Sequence, residues 1–150
     1  MTVTFADYDG LDRPTYKTYN DSNPTTPAVS YAYDTCTYGK GRLCSVSSGT
    51  AVTAYNYSSL GFISDRTQTQ QTSPARPYKS WYSYHPAGSM TSIEYNTGTL
   101  QTGAKRVSYS YSQAGRVTTA YRGVHGGPVY AEQVGYWANG QEKASPTGIR

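Results

Sequence analysis

Six tyrosines recur along the chain at nearly constant spacing. They are Tyr8, Tyr33, Tyr57, Tyr84, Tyr111 and Tyr136, at steps of 25, 24, 27, 27 and 25 residues. Five of them are followed by a glycine in a turn-forming context: Gly41, Gly61, Gly88, Gly115 and Gly140. Self-similarity at a period of roughly 20–50 residues marks an array of small supersecondary units, none of which can bury a face alone. The period divides the chain into a single array of six units, near residues 1–28, 29–50, 51–77, 78–104, 105–130 and 131–150.

Inside each unit the apolar pattern has period two. Val107, Tyr109 and Tyr111 alternate with Ser108, Ser110 and Ser112, and Tyr55 and Tyr57 flank Asn56. Such alternation marks a half-buried strand. A short turn with glycine then leads at once into a second run, as in Phe62-Ile63 after Gly61 and Arg116-Val117 after Gly115. Loops this short join antiparallel strands and leave no room for a parallel crossover. No stretch shows helical periodicity. The expected fold is all-β, an antiparallel array of hairpins with about eleven strands, spiralling or solenoid-like, at roughly one hairpin per 25 residues. The spacing of Leu43 and Val46 is three rather than two, which predicts a bulge between them. With 17 Tyr but two Phe and two Trp, and 36% hydrophobic residues, tyrosine ladders must supply much of the packing.

The remaining inventory excludes more than it suggests. The net charge of +4 is spread along the chain, with Lys105-Arg106 the one basic doublet, so no nucleic-acid surface is expected. No apolar run reaches the length of a membrane helix, and membrane insertion is not expected. Met1 is followed by Thr2 to Asp7 with neither a basic start nor an apolar stretch, so a signal peptide is not in this chain. His85 and His125 stand 40 residues apart, and His85 takes a turn position. Asp7, Asp9 and Asp12 lack the twelfth-position Glu of a calcium loop. No serine is framed as a nucleophile elbow. The reading is therefore of no catalytic residues, no metal and no cofactor. Cys36 and Cys44 have the wrong spacing for a Cys-x-x-Cys redox site and no zinc partners nearby. A disulfide closing a hairpin is the reading adopted, with Gly39 and Gly41 bending the loop, and free thiols facing apart are the alternative. A disulfide implies an oxidising compartment, so the expected location is extracellular or the cell surface.

The unit Tyr-x-Tyr-Asp-x-x-Gly-Arg-Leu gives the period a family resemblance. Tyr31-Ala32-Tyr33-Asp34 with Gly41-Arg42-Leu43 resembles the tyrosine–aspartate (YD) repeat of the RHS superfamily. Tyr109 to Val117 is a second copy with Ser112 for Asp. Tyr55 to Ile63 and Tyr82 to Met90 keep the tyrosine pair and the glycine. Tyr8-Asp9 to Arg13 has Asp12 where glycine belongs, and Tyr136 to Gln141 is a shortened last copy. The resemblance implies long spirals of antiparallel strands, often a hollow shell, which in bacterial members encloses a C-terminal toxin and in animal members serves adhesion. No toxin domain and no core-ending segment are recognisable, and six repeats are too few to close a shell. The expectation is a fragment of such a shell, or a small relative with another solution for its ends.

Three functional classes follow. The first is a non-enzymatic segment of an extracellular RHS-type shell or surface scaffold, partnered by the rest of a longer chain. The second is a self-assembling fibre subunit stacking head to tail on copies of itself. The third is a carbohydrate-binding or adhesive module using exposed tyrosines. An array must protect its end strands. Thr2 to Ala6 carry no charge, so Val3 and Phe5 are expected to mark an open assembly edge, while Glu142, Lys143 and Pro146 partly blunt the other end.

Overall fold

A tight reversal between two strands needs one residue in the left-handed region, where a Cβ is strained and glycine is not. The six repeats place that residue at the same point. Gly41, Gly61, Gly88, Gly115 and Gly140 have φ between 72° and 94°, and Asp12 occupies the position in the first repeat at 56°. The structure is a computed structural model and describes residues 2–21, 26–71, 74–97 and 105–143.

Eleven antiparallel strands form one sheet, ordered as they occur in the chain. They are β1 (Thr2–Tyr8), β2 (Pro14–Asn20), β3 (Val29–Tyr33), β4 (Leu43–Ser48), β5 (Ala51–Tyr57), β6 (Ile63–Gln70), β7 (Arg76–Tyr84), β8 (Met90–Thr97), β9 (Lys105–Tyr111), β10 (Val117–Arg122) and β11 (Val129–Ala131). No helix occurs among the described residues. The all-β hairpin array expected from the period is the architecture found. Tyr8, Tyr33, Tyr57, Tyr84 and Tyr111 each end the outgoing strand of their hairpin.

The turns repeat in detail. The residue after the repeat tyrosine donates its N–H to the carbonyl across the turn mouth: Asp9 to Arg13 at 3.0 Å, Ser58 to Phe62 at 2.7 Å, His85 to Ser89 and Ser112 to Arg116 at 2.8 Å, Trp137 to Gln141 at 2.8 Å. The left-handed residue donates back to the carbonyl of the first, as Asp12 does to Asp9 at 3.1 Å and Gly61 to Ser58 at 2.9 Å. The second turn is longer yet keeps its mouth bond, Asp34 N–H to the Arg42 carbonyl at 3.1 Å. At four of the turns the side chain at the first position also accepts a backbone N–H within the loop. Asp9 Oδ1 accepts from the Leu11 and Arg13 N–H groups at 2.8 and 3.1 Å. Ser58 Oγ and Ser112 Oγ each accept one N–H at 3.3 Å, and His85 Nδ1 accepts from Ala87 at 3.2 Å. This tolerance explains why Asp can be replaced in later repeats: any short acceptor serves.

Four return strands, β2, β4, β6 and β10, then carry a bulge at their second residue. Leu43 faces Tyr33 while Ser45 faces Ala32, which leaves Cys44 as the extra residue between Leu43 and Val46. Thr15, Ser64 and Thr118 are bulged at the same place in β2, β6 and β10. The extra residue lets the side chains on both sides of it keep one face.

The chain divides into two compact units, Met1–Lys79 with Thr97–Thr99, and Ser80–Asn96 with Leu100–Arg150. In the first, the buried apolar residues are Val29 and Cys44, and Lys79 pairs with Asp65 at 3.0 Å. In the second, buried positions go to Ser80, Ser92 and Ser108. Ser108 Oγ donates to the Gly123 carbonyl at 2.7 Å, and Ser92 Oγ accepts from Arg106 at 3.1 Å, which keeps these interior hydroxyls bonded. No described side chain is completely buried. Cohesion must therefore come from strand pairing and from bonds between neighbouring hairpins rather than from a thick apolar core.

The repeated left-handed position generates a stability prediction. Asp12→Gly relieves the Cβ strain at φ 56° and should stabilise the protein by about 0.5–1 kcal/mol. Gly115→Ala, with open space around its Cβ, should cost about 1–2 kcal/mol. Chemical denaturation of the three proteins measures both, and equal stabilities would contradict the shared turn geometry.

Candidate interaction site: the seam between hairpins

Four repeat tyrosines reach out of their own hairpin. Tyr33 Oη donates to the Pro14 carbonyl at 2.9 Å, Tyr57 to Leu43 at 2.6 Å, Tyr111 to Met90 at 2.5 Å and Tyr136 to Val117 at 2.9 Å. In every case the acceptor is the first residue of the previous hairpin's return strand. At Pro14, Leu43 and Val117 that carbonyl is adjacent to the bulged residue, where regular strand pairing is interrupted and an acceptor needs another partner. Burial raises the Tyr57 and Tyr111 hydroxyls above the usual tyrosine range, which favours the protonated, donating form.

Above three of these tyrosines lies the arginine that follows the previous turn. The Arg13 guanidinium is 4.3 Å from the Tyr33 ring centre, Arg42 5.2 Å from Tyr57, and Arg116 5.3 Å from Tyr136. A planar cation over an aromatic face at this distance is attractive by about 0.5–1 kcal/mol at an exposed site. Arg13 also bridges two turns, bonding Asp9 Oδ2 at 2.7 Å and Asp34 Oδ2 at 2.5 Å. Arg13 holds both carboxyls below the usual carboxylate range, with the Gly41 N–H adding to the effect at Asp34. Arg42 lies so close over the third turn that a Cβ on Gly61 would stand 2.4 Å from its Nη2. Gly61 is required for its φ of 87°, and a side chain there would also displace the Arg42 guanidinium.

Strand register across the seams is equally constant. Counting back from the repeat tyrosine, the third residue pairs with the second residue after the acceptor: Ser30 with Tyr16, Ala54 with Ser45, Ser108 with Ser92. Each seam thus combines a fixed register and a hydroxyl-to-carbonyl bond, with an arginine above the ring where the sequence supplies one.

The expected site residues fall as follows. Tyr33, Tyr57, Tyr111 and Tyr136 belong to the seams, and Tyr84 ends β7 at the equivalent point. Tyr8 ends β1, has 56% of its surface exposed and has no hydroxyl partner among the described residues. Val3 and Phe5, on the edge strand β1, are 46% and 47% exposed. Pro146 lies outside the described residues. The Cys36 and Cys44 sulfurs lie 2.07 Å apart, at disulfide distance. A Cβ on Gly39 would stand 2.4 and 2.6 Å from the two sulfurs, so the loop closes only over glycine. The arginines are visible in the sequence as the Gly-Arg step of the repeat unit, at Gly41-Arg42 and Gly115-Arg116, but their place over the tyrosine rings is not.

One other polar pair stands out. Ser110 Oγ and His125 Nε2 are 2.7 Å apart, and the His125 ring lies 4.8 Å from that of Tyr121. Among the described residues no carboxylate bonds His125, so the third group that orients a base in a hydrolytic triad is not in place. No group of three metal-ligating side chains occurs among the described residues.

Two outcomes are expected from these seams. Tyr57→Phe and Tyr111→Phe should each destabilise the protein by about 0.5–1.5 kcal/mol, while Tyr38→Phe, at an exposed loop position, should change nothing measurable in thermal unfolding. The pH profile has a defined sign at each end. The raised tyrosine groups contribute stability fully present below the ordinary value of 10.0, lost as pH rises through their folded values. Asp9 and Asp34 contribute stability present above the ordinary value of 3.8, lost as pH falls through their depressed folded values. Replacing Tyr57 and Tyr111 together should make the alkaline limb shallower, the raised Tyr84 and Tyr109 keeping the rest, and leave the acid limb unchanged.

No protein-family model matches the chain, and no curated protein matches it in sequence.

Proposed function

We propose that the chain is a non-enzymatic structural repeat module, a segment of an extracellular shell or surface scaffold of the RHS/YD-repeat kind. The observation that carries this reading is the seam. Its hydroxyl-to-carbonyl bond recurs at four junctions with one geometry. A bond repeated at four junctions serves the lattice of hairpins, whereas a ligand site is built once. The third class, a sugar-binding tyrosine strip, is less well supported, because the repeat tyrosines Tyr33, Tyr57, Tyr111 and Tyr136 already commit their hydroxyls to backbone. The cysteine pair at bonding distance supports an oxidising location.

The test uses the source cells. Membrane-impermeant biotin should label the protein at the surface or in the medium, with Cys36 and Cys44 resisting alkylation until reduced. Recovery from the cell interior alone, with both thiols alkylated, would overturn the location. Turnover of an ester, glycoside or phosphodiester substrate that is lost in both Ser110→Ala and His125→Ala would overturn the non-enzymatic role.

A further inference from the structure

The second turn does more than reverse the chain. It runs from Asp34 to Arg42, where the third runs only from Ser58 to Phe62, and the extra length reaches the next hairpin. The Thr37 carbonyl accepts the Tyr57 N–H at 3.0 Å, and the Thr37 N–H donates to Asn56 Oδ1 at 3.3 Å. Asn56 Nδ2 donates in turn to Asp65 Oδ1 at 3.2 Å, the carboxylate that pairs with Lys79. The same loop aims the seam arginine. The Arg42 N–H donates to the Gly39 carbonyl at 2.8 Å and its Nη1 to the Tyr38 carbonyl at 2.9 Å, with the guanidinium 5.2 Å from the Tyr57 ring centre. All of this is folded over the cysteine pair. Gly39 is buried against both sulfurs, and its N–H donates to the Cys36 carbonyl at 3.0 Å.

The two sulfurs are not equivalent. Cys44, the bulged residue of β4, is 4% exposed, whereas Cys36, in the loop, is half-buried. The Cys36 N–H donates to Cys44 Sγ at 3.0 Å. A donor at that sulfur stabilises negative charge on it. In thiol–disulfide exchange the accessible sulfur is attacked, and the sulfur that better carries charge leaves. Access and charge give the same order here.

We propose that Cys36 is a modification site for low-molecular-weight thiols, and that exchange there releases the second turn from the third hairpin. The incoming thiolate attacks Cys36 Sγ and forms a mixed disulfide. The Cys36–Cys44 bond breaks, and its electron pair leaves on Cys44 as a thiolate. The attacking sulfur is oxidised, Cys44 is reduced, and Cys44 then takes a proton from water. Its thiol has the Arg42 carbonyl 3.7 Å away as an acceptor. With the ring open, no cross-link holds Thr37 on Asn56 and Tyr57 or Arg42 over the tyrosine. The redox state of the pair thus sets how firmly the second hairpin is joined to the third. The proposal needs the cysteines bonded and is independent of the scaffold reading.

The oxidised chain is treated with glutathione, quenched with an alkylating agent and mapped by mass spectrometry. Glutathione should be found on Cys36 and the alkyl group on Cys44, in about tenfold excess over the reverse. Amide hydrogen exchange, read residue by residue, then compares the oxidised and treated chains. The Thr37 and Tyr57 amides should exchange about tenfold faster after treatment. Those of Ser112 and Trp137, at the mouths of later turns, should not change. An adduct on Cys44, equal amounts of the two adducts, or no adduct overturns the site. Unchanged Thr37 and Tyr57 amides overturn the coupling, as does an equal loss of protection at Ser112 and Trp137. Surface location and turnover are read separately, so failure here and failure of the scaffold reading are told apart.

Discussion

A sheet with almost no apolar interior must be held together along its strands, and here the tyrosine hydroxyl bound to the neighbouring hairpin's first return-strand carbonyl does so. The bond uses two features that the hairpins make anyway. The turn ends an outgoing strand on tyrosine, and the bulge after the turn leaves a carbonyl free of its ladder partner. Hairpin n+1 satisfies hairpin n. The same tyrosine ring, held by its hydroxyl, becomes a platform for the arginine of the preceding turn. Tyrosine suits this role better than phenylalanine. It offers a large apolar face for the half-buried surface and a polar tip for the backbone. That accounts for tyrosine rather than phenylalanine at the four seam positions.

The first two hairpins reinforce the seam with charge. Arg13 spans Asp9 and Asp34, so two turns and one ring share a single guanidinium. Its planar fork can meet both carboxylates while stacking, which a lysine ammonium cannot do. In later repeats Ser58, His85 and Ser112 replace the aspartate, and the turn survives because a hydroxyl or imidazole nitrogen also accepts a backbone N–H. The second turn, the longest, is closed by the cysteine pair packed against Gly39. The repeats therefore vary in chemistry at the turn while the seam register stays fixed, which is what a modular lattice requires.

The sequence by itself determined the period, the strand count and the turns, because each depends on residues close together in the chain. Glycine spacing set where the left-handed residue falls, and the alternation of Tyr and Ser set which face each strand buries. Asp12 was legible as the misfit of the first turn for the same local reason. The bulge was legible too, since a three-residue step between Leu43 and Val46 cannot keep one face without it. What only the tertiary structure decided is the seam. The partners of Tyr33, Tyr57, Tyr111 and Tyr136 lie 14 to 21 residues away, and their acceptors are backbone carbonyls, which look alike in any sequence. Nor could the sequence place Arg42 above the Gly61 turn or Arg13 between two aspartates, because a flexible cation takes its position from the hairpin that packs beside it.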